Sequence, residues 1–366
     1  MIRPLFCRLA CACMVIGLIS LGITHRASAD ATTAQNNPAL QQIIAGANSE
    51  GRLSLSWAPD VMGGAAATKL FEDGIKKEFG ATIHIDFAPG ADPARIAGQL
   101  WTEVQAGQSS SIDIFLGSAA QMAPLSQRDF FLPIDWHQYL PDRISPDLSE
   151  ADNKIVRIGT TLSGISYNTQ LAPAKPTSLH DFLKPEWKGR IATTPYAAGF
   201  DVLLSDDMWG VNKTIDFVTA LSKQISGLIR CGENERLASG EFIALVMDCS
   251  GQATSKWKAK GAPLDYALPA DGTSLRYYYF ALPKNVRHPN AAKLYTLFLL
   301  TPPGQALVWQ TWAMDLHTYP GSHMREQIDA FEKSGGTLTE VTVGWWQKQA
   351  EIDANKDKLV KIVSQK

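Results

Sequence analysis

Short strand-like runs alternate with helix-like runs along this chain, and that alternation narrows its fold more than any other feature. Arg52–Trp57 (RLSLSW) alternates apolar and polar residues and ends in Ala58-Pro59-Asp60 and Gly63-Gly64. Residues 65–79 then have helical spacing, with Leu70, Phe71, Ile75 and Phe79 on one face and Gly80 as the stop. Residues 82–87 read as a second strand, 93–105 as a second helix, and 112–116 (IDIFL) as a third strand entering Gly117-Ser118. Strand, helix, strand in this order implies an α/β fold, with mainly parallel sheets and helices on their faces.

The second half repeats the scheme. A β-rich run at 157–167 ends in Asn168. Residues 191–194 form a strand that runs into Pro195-Tyr196-Ala197-Ala198-Gly199, and helices are expected at 200–209 and 213–222. Residues 233–239 read as helical, 243–247 as a strand running into Asp248-Cys249-Ser250-Gly251, and 252–260 as a helix. Strands follow at 264–268 and 277–282. Asn290 reads as the N-cap of a helix, Thr301-Pro302-Pro303-Gly304 as the start of another, and 357–362 as the last.

Residues 1–29 are different in kind. Arg3 and Arg8 open an apolar run of 15 residues that closes in Ala27-Ser28-Ala29 before Asp30. A basic start, a short apolar stretch and small residues at −3 and −1 make a cleavable export signal. The run is short for a membrane span, which needs about 20 residues. The working protein is therefore expected outside the cytoplasm, beginning at Asp30. At about 150 residues per domain, what remains is enough for two domains. The net charge of the whole chain, −2, gives no basis for nucleic-acid binding.

Three of the five cysteines fall within the signal, leaving Cys231 and Cys249 as an even pair in an oxidising compartment. They read either as a disulfide or as two small buried thiols. The seven histidines show neither HxxxH nor HExxH spacing, so no compact zinc site and no cofactor is expected.

In open α/β sheets, ligands sit beyond the carboxyl ends of the strands. That rule selects Trp57 and Asp60 after the first strand, and Ser118 after the third. It selects Tyr196, Gly199 and Asp201 after the strand at 191–194, and Asp248 and Ser250 after the strand at 243–247. Tyr167 lies where the chain enters its second half. Of the triplet Tyr277-Tyr278-Tyr279, strand alternation sends Tyr278 to the face opposite its neighbours. Each has a plainer use: Trp57 as a cap on the core, Ser118 as a helix N-cap, Asp201 as a helix-start acid, Asp248 as a partner for a lysine.

Several segments together carry a family resemblance: 49–57 (SEGRLSLSW), 166–171 (SYNTQL), 183–191 (LKPEWKGRI), 237–241 (LASGE), 258–269 and 283–305 (PKNVRHPNAAKLYTLFLLTPPGQ). In this order they resemble the periplasmic solute-binding proteins of ABC importers, in the extracellular family-1 group that includes ferric-iron and polyamine binders. The resemblance implies a two-lobed, type II periplasmic-binding-protein fold with a hinge and an interlobe ligand cleft. It places lobe one at 30–150 plus 280–335 and lobe two at 151–279, with 336–366 a C-terminal helical tail. It implies a monomer that captures a small-molecule solute and meets a permease in the inner membrane, without chemistry.

The resemblance does not choose the solute. Iron binders of the family carry an adjacent Tyr–Tyr pair after the LASGE-type segment, where this chain has Asp248-Cys249-Ser250. A polyamine-like cation needs aromatic walls and carboxylates. Ferric iron needs hard oxygen ligands. A phosphonate-like anion would use Ser118, Ser250 and strand-end amides. Two other functions stand beside solute delivery: a cleft enzyme with Cys249 as nucleophile, and a ligand sensor for a membrane receptor.

Overall fold

The structure is a computed structural model that describes residues 37–90 and 93–365. The export signal expected at 1–29 lies outside the described residues. Among the described residues, no helix is long and apolar enough to cross a membrane.

The first helix, Pro38–Glu50, starts where the Asn37 side chain accepts hydrogen bonds from the backbone N–H groups of Ala39 and Leu40, and ends at Gly51 with φ 65°. Such a cap is worth about 1 kcal/mol. Among the described residues twelve strands follow in order: β1 Arg52–Trp57, β2 His84–Pro89, β3 Phe115–Ser118, β4 Ser149–Glu150, β5 Ile155–Leu162, β6 Gly164–Asn168, β7 Ile191–Thr193, β8 Ile225–Leu228, β9 Ala244–Asp248, β10 Leu264–Ala267, β11 Ser274–Ala281 and β12 Thr339–Val341.

Lobe one is built on the parallel pair β1-β2 and on a sheet ordered β12-β11-β5-β4, with β3 also paired to β11. The buried Asp113, just ahead of β3, ties β1 to the turn before helix Pro289–Leu299. It accepts from the Ser54 N–H of β1 (2.7 Å) and from the N–H groups of Arg287 and His288 (3.2 and 3.0 Å). Helix Pro289–Leu299 runs through the core of this lobe with eight buried residues. Lobe two is a five-stranded sheet ordered β10-β6-β9-β7-β8.

The sheets are mixed, which corrects the mainly parallel arrangement expected from strand–helix alternation. Pairs β1-β2, β7-β8, β7-β9 and β11-β12 are parallel, whereas β5-β11, β3-β11, β4-β5, β6-β9 and β6-β10 are antiparallel. The antiparallel pairs gather around β5, β6 and β11, the strands on either side of the lobe junction.

The chain passes from β5 to β6 through Ser163 and from β10 back to β11. The two passages are tied together: Ser163 Oγ accepts from the Ser274 N–H (2.8 Å) and lies 3.0 Å from Ser274 Oγ. Gly164 stands at the same point, where a Cβ would come 2.5 Å from the Ala267 carbonyl oxygen. The C-terminal segment touches both lobes. Helix Val343–Trp346 packs on helix Ala119–Ser126, and helix Ala350–Ser364 packs on helices Val211–Ser222 and Phe200–Leu203.

Several local expectations shift for visible reasons. The helix expected over 65–79 starts only at Thr68, because Met62, Gly63 and Gly64 have positive φ, and Leu70 is exposed rather than on the packed face. The helix expected over 200–209 is four residues long. Beyond it, Trp209 donates its indole N–H to the Asp271 carbonyl (2.6 Å) and Gly210 turns the chain at φ 74°. Asn290 is not an N-cap. It lies inside helix Pro289–Leu299, whose first amides are met by the Glu50 carboxylate: Asn290 N–H at 3.1 Å and Ala291 N–H at 2.7 Å. β8 was not expected at all; Ser226-Gly227 interrupts its apolar pattern.

Candidate functional site

The carboxyl ends of β1, β3, β7 and β9 and one face of β11 border the same space between the lobes. Two of these strand-end loops contain a non-glycine residue at positive φ, Met62 (49°) after β1 and Ala197 (50°) after β7, and Met247 (57°) stands at the end of β9 itself. Backbone of this kind costs about 1–3 kcal/mol per residue and gathers at ligand sites. Gly199, at φ 75°, is forced by proximity as well, since a Cβ there would stand 2.6 Å from Met247 Cε.

Along β11, Tyr277 and Tyr279 turn to the back of the sheet. There Tyr277 donates to Glu340 (2.7 Å) and Tyr279 to Glu150 (3.0 Å), with the Arg157 guanidinium 4.1 Å from the Tyr277 ring centre. Arg276 and Tyr278 take the cleft face and are half-buried. The Tyr278 ring packs at a tilt against Trp312, with ring centres 4.7 Å apart. Burial raises the pKa of its hydroxyl, the Arg276 charge opposes that, and Asp60, Tyr196 and Asp248 add to it. Thus Tyr278, Asp60, Tyr196 and Asp248, all expected from sequence, share one electrostatic neighbourhood. Ser118 pairs with Tyr278 across β3-β11, and its N–H donates to the Gln121 side chain at 2.8 Å, so it also caps helix Ala119–Ser126.

From lobe two, Tyr196 is half exposed, and its hydroxyl accepts from the Cys231 N–H at 3.0 Å. Ser250 and Asp201 are half-buried. Burial raises the Asp201 pKa, with Arg276 and the amide of Val202 opposing. Asp248 is closed over. One carboxylate oxygen accepts from Ser166, which continues through Thr254 to Asn234. Burial pushes its pKa up to about 6, against that hydrogen bond, the amides of Cys249 and Ser250, and the charge of Arg276. Asp248 shapes the loop after β9 from behind and shows solvent almost nothing.

Two expected residues lie elsewhere. Trp57 belongs to the core of lobe one. Its ring sits 5.7 Å from Phe87 and 5.9 Å from Phe280, and its indole N–H donates to the Val61 carbonyl at 3.1 Å. A tryptophan at a strand end has two ways to turn, and the apolar one won. Tyr167 is buried at the wrong end of its strand. Gly164 is opposite Asp248, at the cleft, whereas Tyr167 is opposite Ala244. Three residues of strand put it about 10 Å farther along the sheet.

Two residues were missed. Arg276 reaches from β11 into lobe two and donates Nη2 to the Cys249 carbonyl at 2.6 Å. Its position directly before the tyrosine triplet, on the same face as Tyr278, was a usable signal. Lys256, on helix Gln252–Ala259 of lobe two, donates to two lobe-one carbonyls, Thr311 at 2.7 Å and Asp60 at 3.4 Å. Nothing in its sequence context marks it. A shallow groove lined by His180, Lys213, Asp216 and Phe217 lies on the outside of lobe two, away from these strand ends.

Cys231 and Cys249 are joined by a disulfide that ties the loop after β8 to the loop after β9. With both sulfurs bonded, Cys249 has no thiolate for nucleophilic attack. Cys231, Asp248 and Cys249 form a tight cluster of metal-ligating residue types among the described residues, but the bonded sulfurs are not thiolate ligands.

The family model described as bacterial extracellular solute-binding protein matches residues 69–314. The Fe(3+)-binding periplasmic protein of Serratia marcescens is 29% identical over 158 residues, which cover 42% of this chain and 44% of that protein. The match spans less than half the length of the curated relatives. Among solved structures, the substrate-binding protein of an ABC transporter from Agrobacterium tumefaciens aligns with a TM-score of 0.68 at 16% identity, covering 87% of this chain and 96% of that one. The periplasmic binding protein AfuA of Actinobacillus pleuropneumoniae, bound to fructose-6-phosphate, aligns with a TM-score of 0.65 at 17% identity, covering 84% and 98%. At such identities the likeness speaks for the fold: two α/β lobes of the type II periplasmic-binding-protein class.

Proposed function

The chain belongs to the bacterial extracellular solute-binding protein family, and we propose that it captures a small solute between its lobes and delivers it to the permease of an ABC importer. On this reading residues 1–29 direct export to the periplasm and are removed. The mature protein works as a monomer, without chemistry of its own. The lobe bounds expected from sequence, 30–150 plus 280–335 and 151–279, shift with the sheets: lobe one runs on through β5 and resumes with β11, lobe two holds the strands from β6 to β10, and 336–366, which adds β12 to the lobe-one sheet, forms a tail across both.

The observation that carries the reading is the convergence of strand-end loops from both lobes on the cleft face of β11. Tyr196, Gly199, Asp201 and Ser250 approach from lobe two and Asp60 and Ser118 from lobe one, with Tyr278 on β11 between them. The two strand passages at Ser163 and Ser274 are suited to hinge bending. Two of the relatives named above are associated with unlike solutes, ferric iron and fructose-6-phosphate, so likeness does not select one.

A thermal-shift screen of the mature protein over phosphate esters, carboxylates, polyamines and ferric complexes tests the reading. A cognate solute at 100 times its dissociation constant adds about 2.7 kcal/mol of stability. Tyr196→Ala and Tyr278→Ala should each weaken that solute. Unchanged affinity in both would move the binding site away from this cleft.

A further inference from the structure

Arg276 has an unusual setting. It is half-buried on the strand that joins the lobes, and its charge is felt by Asp201 and Asp248, yet it forms no ion pair with either among the described residues. Nη2 donates to the Cys249 carbonyl, whereas Nε is enclosed with no acceptor in reach. A buried guanidinium donor without a partner is costly, and the planar donor fork of arginine matches carboxylate and phosphate oxygens. The geometry points to Arg276 as the anchor for an oxyanion, a carboxylate or phosphate group, carried by the solute in the interlobe cleft.

The surroundings favour a negative solute. The Tyr196 hydroxyl accepts from the Cys231 N–H, and its own proton meets only a weak acceptor, the bonded Cys249 Sγ at 3.8 Å, which a solute oxyanion would outcompete. Lys256 adds a second positive charge between the lobes. A cation would find poor partners. Asp248 is turned inward, with one oxygen on Ser166 and the other enclosed without a hydrogen-bond partner and closed off from solvent, and Asp201 accepts from the Val202 amide. Asp60 is the exposed carboxylate of the group.

This inference rests on the solute-capture reading, and the test separates the two. Inorganic phosphate, citrate and spermidine are titrated into the mature protein, with melting temperature and small-angle scattering followed together. Arg276→Gln and Arg276→Lys are measured beside wild type, and circular dichroism establishes that each is folded. We expect phosphate or citrate to bind, and Arg276→Gln to weaken it by about 10- to 100-fold, the loss of a hydrogen bond to a charged group. Arg276→Lys keeps the charge without the fork and should fall between. No response to 50 mM phosphate or citrate overturns the inference, as does binding that Arg276→Gln leaves unchanged. Should the variants fail to fold, wild type decides: spermidine binding that excess citrate does not oppose overturns the inference too. Spermidine binding with compaction would leave solute capture standing. Anion binding without compaction would support the anchor and count against capture by closure.

Discussion

Asp248 shows how one residue serves the cleft without facing it. Its carboxyl is folded against Ser166 and the amides of the next two residues, and burial holds its pKa up to about 6 against an ordinary 3.8. The neutral form therefore fits the fold better than the ionised one. Its contribution is fully present below pH 4 and is lost as pH rises through about 6, by about 3 kcal/mol. Denaturant titrations between pH 4 and 7 should show this loss in wild type and a flatter profile in Asp248→Asn, which keeps an acceptor for Ser166. Parallel profiles would mean that Asp248 ionises in the fold as it does in water. Its place at the end of a strand was legible in sequence, but its direction was not. Like Trp57, it sits where a side chain can turn to core or cleft, and packing from distant elements decides which.

At the scale of elements, the loops after β8 and β9 form one unit. The disulfide joins them, the Cys231 N–H holds the Tyr196 hydroxyl, and the Cys249 carbonyl holds Arg276. Closing a loop of this length stabilises by about 3 kcal/mol in the chain-entropy model. The double substitution Cys231→Ser, Cys249→Ser should lower unfolding free energy by that order and weaken solute binding as well. Loss of stability with affinity intact would show that the bridge does not position the cleft. The strands of the first half were readable because apolar residues alternate cleanly in β1, where Leu53, Leu55 and Trp57 are all buried. β8 was hidden by Ser226-Gly227. The glycine is there because a Cβ would stand 2.5 Å from the Phe242 ring, a contact made 15 residues away in sequence. The antiparallel character of the joining strands was equally invisible, since it depends on which strands meet rather than on their composition.

For the whole molecule, two strand passages and a C-terminal strap connect the lobes, and Lys256 reaches across the opening to Thr311 and Asp60. Lys256→Met removes that contact. It should make the free protein more open in scattering and weaken solute about tenfold, the lower end for a hydrogen bond to a charged group. Unchanged dimensions and affinity would show that Lys256 does not favour the closed arrangement. The two-lobed plan followed from the family-like segments, whereas strand–helix order pointed only to the α/β class. The contacts that set lobe against lobe join residues as far apart as 60 and 256, and no local pattern announces them. Closure around solute is the step on which delivery depends, and ligands shift such an equilibrium only by binding one state better than the other. The decisive measurement is small-angle scattering of the mature protein with and without a solute that saturates it. A smaller radius of gyration on saturation is predicted; an unchanged curve with a tightly bound solute would contradict capture by closure.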